Sequence, residues 1–172
     1  MKKVAKKSVK KINSLLSINK RKTSKRKKPG DAPGTLIHTG ERVLDDILIT
    51  VHDFDEEHFT SLPVKEVEKL SPFLKSKSKT WLQVRGLHDI DKLKSIWNYF
   101  NLHPLVQEDI VSTNQRPKIE LYNDFIFIVL RSLTPGSVNG DNININNEQI
   151  SIVLVKTLCF RFRKATNPYL NP

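Results

Sequence analysis

The sequence predicts an α/β protein of α+β character, built on a mixed and largely antiparallel sheet. Residues 46–54, DILITVHDF, alternate apolar and polar side chains with the period of a strand. Two later pairs of strand-like segments are joined by connections short enough for hairpins, which favours a mixed sheet over a wholly parallel one. Residues 90–100 instead space their apolar side chains as one helical stripe: Ile90, Leu93, Ile96, Trp97 and Phe100.

The first half of the chain is expected to contribute four strands and two helices. We place strands at 35–38, 46–54, 59–62 and 80–85, and a short helix over 64–74 that Pro72 limits. The stripe at 90–100 is preceded by Asp89, which can cap the helix, and is followed by Asn101, which tolerates the left-handed conformation of a helix end.

A further helix and the C-terminal strands follow. Pro104 suits the first helical position, and Pro117 prevents the helix from continuing far beyond Ser112. Residues 119–133 predict one long strand or two strands broken by a bend at Asn123 and Asp124. The Gly- and Asn-rich residues 135–147 predict a loop, and 148–156 with 158–163 predict an antiparallel hairpin.

The positive charge of the chain is concentrated in its first 30 residues. They hold 13 of the 29 lysines and arginines and none of the 18 acidic residues, so the rest of the chain has 16 basic and 18 acidic side chains. We expect residues 1–34 to be a basic, disordered tail that can contact anionic lipid, and residues 35–172 to form one domain. Because that domain is slightly acidic, a nucleic-acid-binding module that uses the basic arm is the weaker alternative.

Motifs of an enzyme are missing from the sequence. The five histidines fall at no zinc-ligand spacing, and neither a Gly-rich phosphate loop nor a nucleophile motif occurs. Cys159, within an apolar run, is interpreted as a buried and inert thiol. The acidic segment 51–58, VHDFDEEH, could bind a metal ion but is interpreted as a solvated turn. We therefore expect a protein that is not an enzyme.

Two adjacent acids, Glu108 and Asp109, are the candidate metal ligands. Neighbouring helical positions diverge by about 100°, so the two carboxylates cannot readily chelate one ion as a pair. Ca²⁺ and Mg²⁺ take roughly six oxygen ligands, so this helix supplies at most part of a site. The chemistry alone leaves open whether these acids are a polar helix surface or half of a cation site.

Several segments together resemble the cytosolic domain of the CorA family of magnesium and cobalt transporters. They are PGTLIHTG, TWLQVRGLHD, HPLVQEDI, QRPKIE and EQISIVLVKTLCFRF, which cover about residues 33–163. The resemblance implies a three-layer α/β/α cytosolic domain, followed by a stalk helix and two membrane helices. It also implies a homopentamer in which Mg²⁺ between neighbouring domains holds the pore closed, with Glu108 and Asp109 at that interface and Co²⁺ as another possible ion.

The chain departs from the family pattern at two positions and in its extent. Gln107 stands where Leu is common, and Asn101 stands where Gly is common. The stalk, the membrane helices and the partner ligands would lie beyond residue 172, so we expect these 172 residues alone to be soluble and not transport-competent. In the full-length protein the C-terminal helices would anchor the chain in the inner cell membrane, and this domain would lie on the cytoplasmic side.

Two further expectations follow from this extent. Part of one sheet face would lack its helix layer, so we expect an exposed apolar face and self-association of the 172 residues alone. A stand-alone metal-binding or scaffold protein that reuses the fold remains an alternative to the transporter domain.

Overall fold

A computed structural model describes residues 35–39, 44–139 and 142–164. Its strands and helices occur in the following order: β1 (Leu48–Phe54), β2 (Phe59–Pro63), α1 (Ser71–Lys75), β3 (Lys79–Arg85), α2 (Ile90–Tyr99), α3 (Pro104–Val111), β4 (Lys118–Leu121), β5 (Ile126–Asn139), β6 (Asn142–Leu154) and β7 (Leu158–Arg163). A short 3-10 helix, Val67–Leu70, precedes α1. The predicted basic tail, residues 1–34, lies outside the described residues.

The seven strands form one mixed sheet with the order β2-β1-β3-β7-β6-β5-β4. Only β3 and β7 pair in parallel, and the other five pairings are antiparallel. The predicted mixed, largely antiparallel sheet is therefore confirmed. Strand β7 is the last described strand in the sequence but lies at the centre of the sheet, because it pairs with β3 of the N-terminal strands and with β6 of the C-terminal strands.

One face of the sheet packs against the helices and forms the core. Alternate strand positions point their apolar side chains to this face, and α2 and α3 bury theirs against it. The Phe100 and Phe160 rings, for example, meet edge to face with centroids 4.4 Å apart. Fully buried members of this core include Val51, Val84, Leu93, Ile96, Trp97, Val106, Ile110, Phe127, Val153, Phe160 and Phe162.

The opposite face, which we call the open face, carries apolar side chains that no described helix covers. Its exposed members are Leu48, Phe54, Phe59, Ile119, Leu121, Leu130 and Leu154. The described residues therefore supply two layers, the sheet and one layer of helices, and the expectation of an exposed apolar face is confirmed. These side chains lie in two groups, one on β1 and β2 and one on β4, β5 and β6, and large exposed apolar patches are uncommon on a soluble monomer.

Local sequence signals fix the ends of α2. The Asp89 carboxylate accepts a hydrogen bond from the Lys92 backbone N–H at 3.1 Å, which satisfies one of the free donors of the first turn. After the helix, Asn101 adopts a φ of 50°, in the left-handed region. Both predicted boundary roles are confirmed.

Three predicted elements differ in the structure. Residues 35–38 are not a strand; instead the Thr39 N–H donates to the Val111 carbonyl and its hydroxyl accepts from the Thr113 N–H, so this segment lies beside the end of α3. The predicted helix 64–74 is reduced to the 3-10 helix and α1. For residues 119–133, by contrast, the second predicted alternative is confirmed: β4 and β5 are two strands, with the break at the expected bend.

The third difference is the largest. Residues 135–147 were predicted to be a loop, but β5 and β6 continue pairing beyond the sheet as a two-stranded ribbon. The register of this pairing shifts between Pro135 and Val138. The ribbon does not cover a core, so its strands need no alternation of apolar and polar side chains. Their polar composition therefore predicted a loop instead of strands.

Candidate functional site

Helix α3 carries both candidate ligands. The His103 ring Nδ1 accepts a hydrogen bond from the Leu105 backbone N–H at 3.3 Å, and Pro104 occupies the first turn. Val106, Ile110 and Val111 are buried against the sheet. These side chains hold one side of α3 in the core. Glu108 and Asp109 lie at the edge of that side and are both half-buried, and we call these two residues the rim of α3.

The Asp109 carboxylate uses both of its oxygens. Oδ1 accepts a hydrogen bond from Gln115 Nε2 at 2.7 Å, and Oδ2 accepts one from Lys118 Nζ at 2.6 Å. The side chain of Asp109 is 18% exposed, so its charge is partly removed from water. An ion pair in such a setting is more strongly held than one on an open surface.

Lys118 connects this carboxylate to a second one on β4. Its Nζ also donates to Glu120 Oε1 at 2.6 Å, and the Tyr122 hydroxyl donates to Glu120 Oε2 at 3.1 Å. Lys118 and Glu120 are two residues apart on one strand, so their side chains share a face. We call Asp109, Gln115, Lys118, Glu120 and Tyr122 the Lys118 network.

Protonation in the Lys118 network follows from these contacts. Burial opposes the charge of Lys118, but its hydrogen bonds to Asp109 and Glu120 outweigh that effect and raise its pKa. The hydrogen bond from Lys118 lowers the pKa of Glu120. Burial, followed by the bond to Glu120, raises the pKa of Tyr122. At neutral pH the network therefore contains an ammonium and an ionised Glu120.

Gln149 on β6 attaches the end of α3 to the sheet. Its Nε2 donates to the Asp109 carbonyl at 2.9 Å, and its Oε1 accepts from the Gln115 backbone N–H at 3.0 Å. That carbonyl belongs to the last turn of α3, where the carbonyls lack helical partners. Gln149 is 4% exposed, so it acts as a buried cap. Sequence reasoning missed it because it is 40 residues away in the chain.

The structure brings only one of the two predicted ligands into this network. Asp109 joins it, whereas Glu108, on the neighbouring position of α3, has an interaction of its own within the chain. Within residues 35–39, 44–139 and 142–164, no group of three or more His, Cys, Asp or Glu side chains is arranged to hold a metal ion. The residue in place of the common Leu, Gln107, donates to the Leu102 carbonyl at 2.7 Å and so helps to fix the start of α3.

The acidic segment near residue 55 forms the turn between β1 and β2. Asp55 Oδ1 accepts the backbone N–H groups of Glu57 and His58, both at 2.9 Å. These hydrogen bonds lower the pKa of Asp55, and the hydrogen bond of His58 to Asp55 raises the pKa of His58. The carboxylate is thus used to close the turn, as the interpretation of this segment as a turn requires.

Two remaining features are the state of Cys159 and the length of the described helices. Cys159 is half-buried rather than fully buried, and burial raises the pKa of its thiol, which disfavours the reactive thiolate. In the part of the chain that the structure describes, no helix is both long and apolar enough to cross a bilayer.

Comparison with known proteins identifies the family. A family model for CorA-like Mg²⁺ transporter proteins matches residues 76–171. The cobalt/magnesium transport protein CorA of Thermotoga maritima is 33% identical over 145 residues, which are 84% of this chain and 40% of that protein. A putative metal ion transporter of Schizosaccharomyces pombe is 30% identical over 98 residues, which are 57% of this chain and 12% of that protein.

A solved structure supports the same fold. The structure of the full-length CmaX protein matches with a TM-score of 0.54 at 12% identity, covering 74% of this chain and 38% of that one. The chain spans less than half the length of each of these relatives. The match to the family model covers more than half of the 172 residues. The chain belongs to the family of CorA-like Mg²⁺ transporter proteins.

Proposed function

We propose that this chain is the cytosolic, Mg²⁺-sensing domain of a CorA-like divalent-cation transporter. In this proposal the domain controls transport by binding ions between neighbouring subunits of a homo-oligomer, a pentamer by family resemblance, on the cytoplasmic side of the membrane. The observation that carries the proposal is the rim position of Asp109, a partly exposed carboxylate that already attracts a positive charge. Family membership and the name of the Thermotoga maritima relative supply the class of ion.

The donor chemistry of the rim fits a hard divalent cation. Glu108 and Asp109 offer carboxylate oxygens, which Mg²⁺ prefers, and Co²⁺ can bind the same donors. One helix cannot fill roughly six coordination positions, so water and a facing subunit would supply the remaining ligands. We infer that Asp109 contacts the ion and that Glu108 adds charge or an outer hydrogen bond to bound water.

Control of the pore would follow from electrostatics. Without an ion, no charge would bridge the carboxylates of adjacent subunits, and a divalent ion between them would attract the carboxylates on both sides. Ion loss would then loosen the contact between cytosolic domains and favour the open pore. The pore and the membrane helices belong to the full-length transporter, so the 172 residues alone would not transport ions. The basic tail could add contacts with anionic lipid.

Mg²⁺-dependent protection from proteolysis tests the proposal in the full-length transporter. Asp109→Asn removes the carboxylate while keeping its shape, and we expect it to abolish most of the protection that MgCl₂ gives the wild type. Asp91→Asn is the matched control, because the Asp91 side chain is 97% exposed and belongs to α2 rather than to α3. An Asp109→Asn protein with the same midpoint in the MgCl₂ series as the wild type would overturn the assignment.

A further inference from the structure

Lys118 places a positive charge against the carboxylate that we propose as an ion ligand. Its Nζ is 2.6 Å from Asp109 Oδ2 and 2.6 Å from Glu120 Oε1. Those two oxygens can therefore be no farther apart than twice that distance. A carboxylate from α3 and one from β4 thus converge on a single cationic atom, which occupies a position that another cation could take.

A divalent ion and this ammonium cannot both use Asp109 in the observed arrangement. Oδ1 already accepts from Gln115, and Oδ2 already accepts from Lys118. An ammonium has only donors and cannot coordinate a metal ion. An ion bound at Oδ2 would lie within a few ångströms of Nζ, where the two positive charges repel each other.

We propose that Lys118 is a resident competitor that sets how much divalent cation is needed to occupy Asp109. In the ion-free domain the ammonium neutralises Asp109. When an ion binds, the ammonium withdraws toward Glu120, which the Tyr122 hydroxyl holds in place. This inference rests on the proposed function, since it assumes that Asp109 is a ligand. It adds a residue that tunes the affinity without touching the ion.

The geometry also distinguishes this role from a purely structural one. If Lys118 only attached β4 to α3, its removal would loosen Asp109 and weaken or leave unchanged the binding of ions. If Lys118 competes, its removal strengthens binding. At the same distance, the Lys118 ammonium repels a divalent ion twice as strongly as it repels a monovalent one. Removing the ammonium removes this repulsion, so we expect a decrease in Kd on the order of tenfold.

The test uses the full-length transporter, whose facing subunits would supply the remaining ligands, and Mn²⁺ as a paramagnetic probe. Free MnCl₂ is followed by electron paramagnetic resonance, and MgCl₂ is added as a competitor. Lys118→Met and Lys118→Gln remove the charge, whereas Lys118→Arg keeps it. Lys94→Met removes a charge from a half-exposed lysine on α2 and serves as the matched control. Circular dichroism verifies that each variant is folded.

The inference predicts that Lys118→Met and Lys118→Gln bind Mn²⁺ about tenfold more tightly than the wild type, and that Lys118→Arg and Lys94→Met do not. The double variant Asp109→Asn/Lys118→Met should lose the gain. Folded neutral variants that bind no better than the wild type would overturn the inference, as would unfolding of both neutral variants. The proposed function fails separately, if Asp109→Asn leaves the Mg²⁺-dependent protection of the transporter intact.

Discussion

The buried side chain of Gln149 offers the strongest test of how the sheet positions the candidate ligand. Gln149→Leu keeps the approximate size of the side chain but removes its amide. The Asp109 carbonyl and the Gln115 backbone N–H would then both lose their partner. A fully buried group left without a hydrogen bond costs about 1–3 kcal/mol, and because these two groups are only partly buried we expect the free energy of unfolding to fall by about 2–4 kcal/mol.

Urea denaturation followed by circular dichroism measures this change in the 172-residue chain. Gln107→Leu is the matched control, because Gln107 makes one hydrogen bond, to the Leu102 carbonyl, and is half-buried. Its expected loss is about 1 kcal/mol. If Gln149→Leu cost no more than Gln107→Leu, the cap on the last turn of α3 would contribute little, and the account of how Asp109 is positioned would be wrong.

Two further predictions concern the turn at His58 and the open face. The pKa of His58 is raised by its hydrogen bond to Asp55, so its contribution to stability is complete below the unfolded pKa of about 6.5 and is lost as the pH rises through the folded pKa. His58→Gln should therefore flatten the decline in stability between about pH 6 and pH 8, and an unchanged slope would refute this. Leu130→Lys/Leu154→Lys places charges on two exposed apolar positions of the open face. It should reduce self-association in sedimentation velocity runs, and an unchanged distribution would exclude this face as the contact.

Sequence reasoning succeeded where the determining interactions are local. The ends of α2 depend on Asp89 and Asn101, each within a few residues of the turn it affects. The strand at 46–54 was likewise indicated by a short-range alternation of apolar and polar residues. The break near Asn123 was indicated by a predicted bend. These elements could be predicted because their physical causes lie inside a window of about ten residues.

The contacts of the candidate site could be predicted only in part. Asp109 was identified through family resemblance, but Lys118 and Gln149 reach it across 9 and 40 residues. The two-residue spacing of Lys118 and Glu120 was an available signal, since strand periodicity places them on one face. Nothing local indicated that α3 would lie over that face. The ribbon formed by β5 and β6 was missed for a different reason. Its local Asn and Gly content predicted a loop, whereas the structure pairs the two strands.

The central position of β7 has a consequence for the order of folding during synthesis. Strands β1, β2 and β3 can pair as soon as they emerge, and β4, β5 and β6 can pair later, but the two groups share no strand pairing until β7 lies between them. The parallel pairing of Thr80 with Leu158 spans more than 70 residues, so it closes late. Until then the edges of β3 and β6 stay open to other chains. A nascent chain that stalls before residue 158 would therefore carry two half-sheets that cannot join.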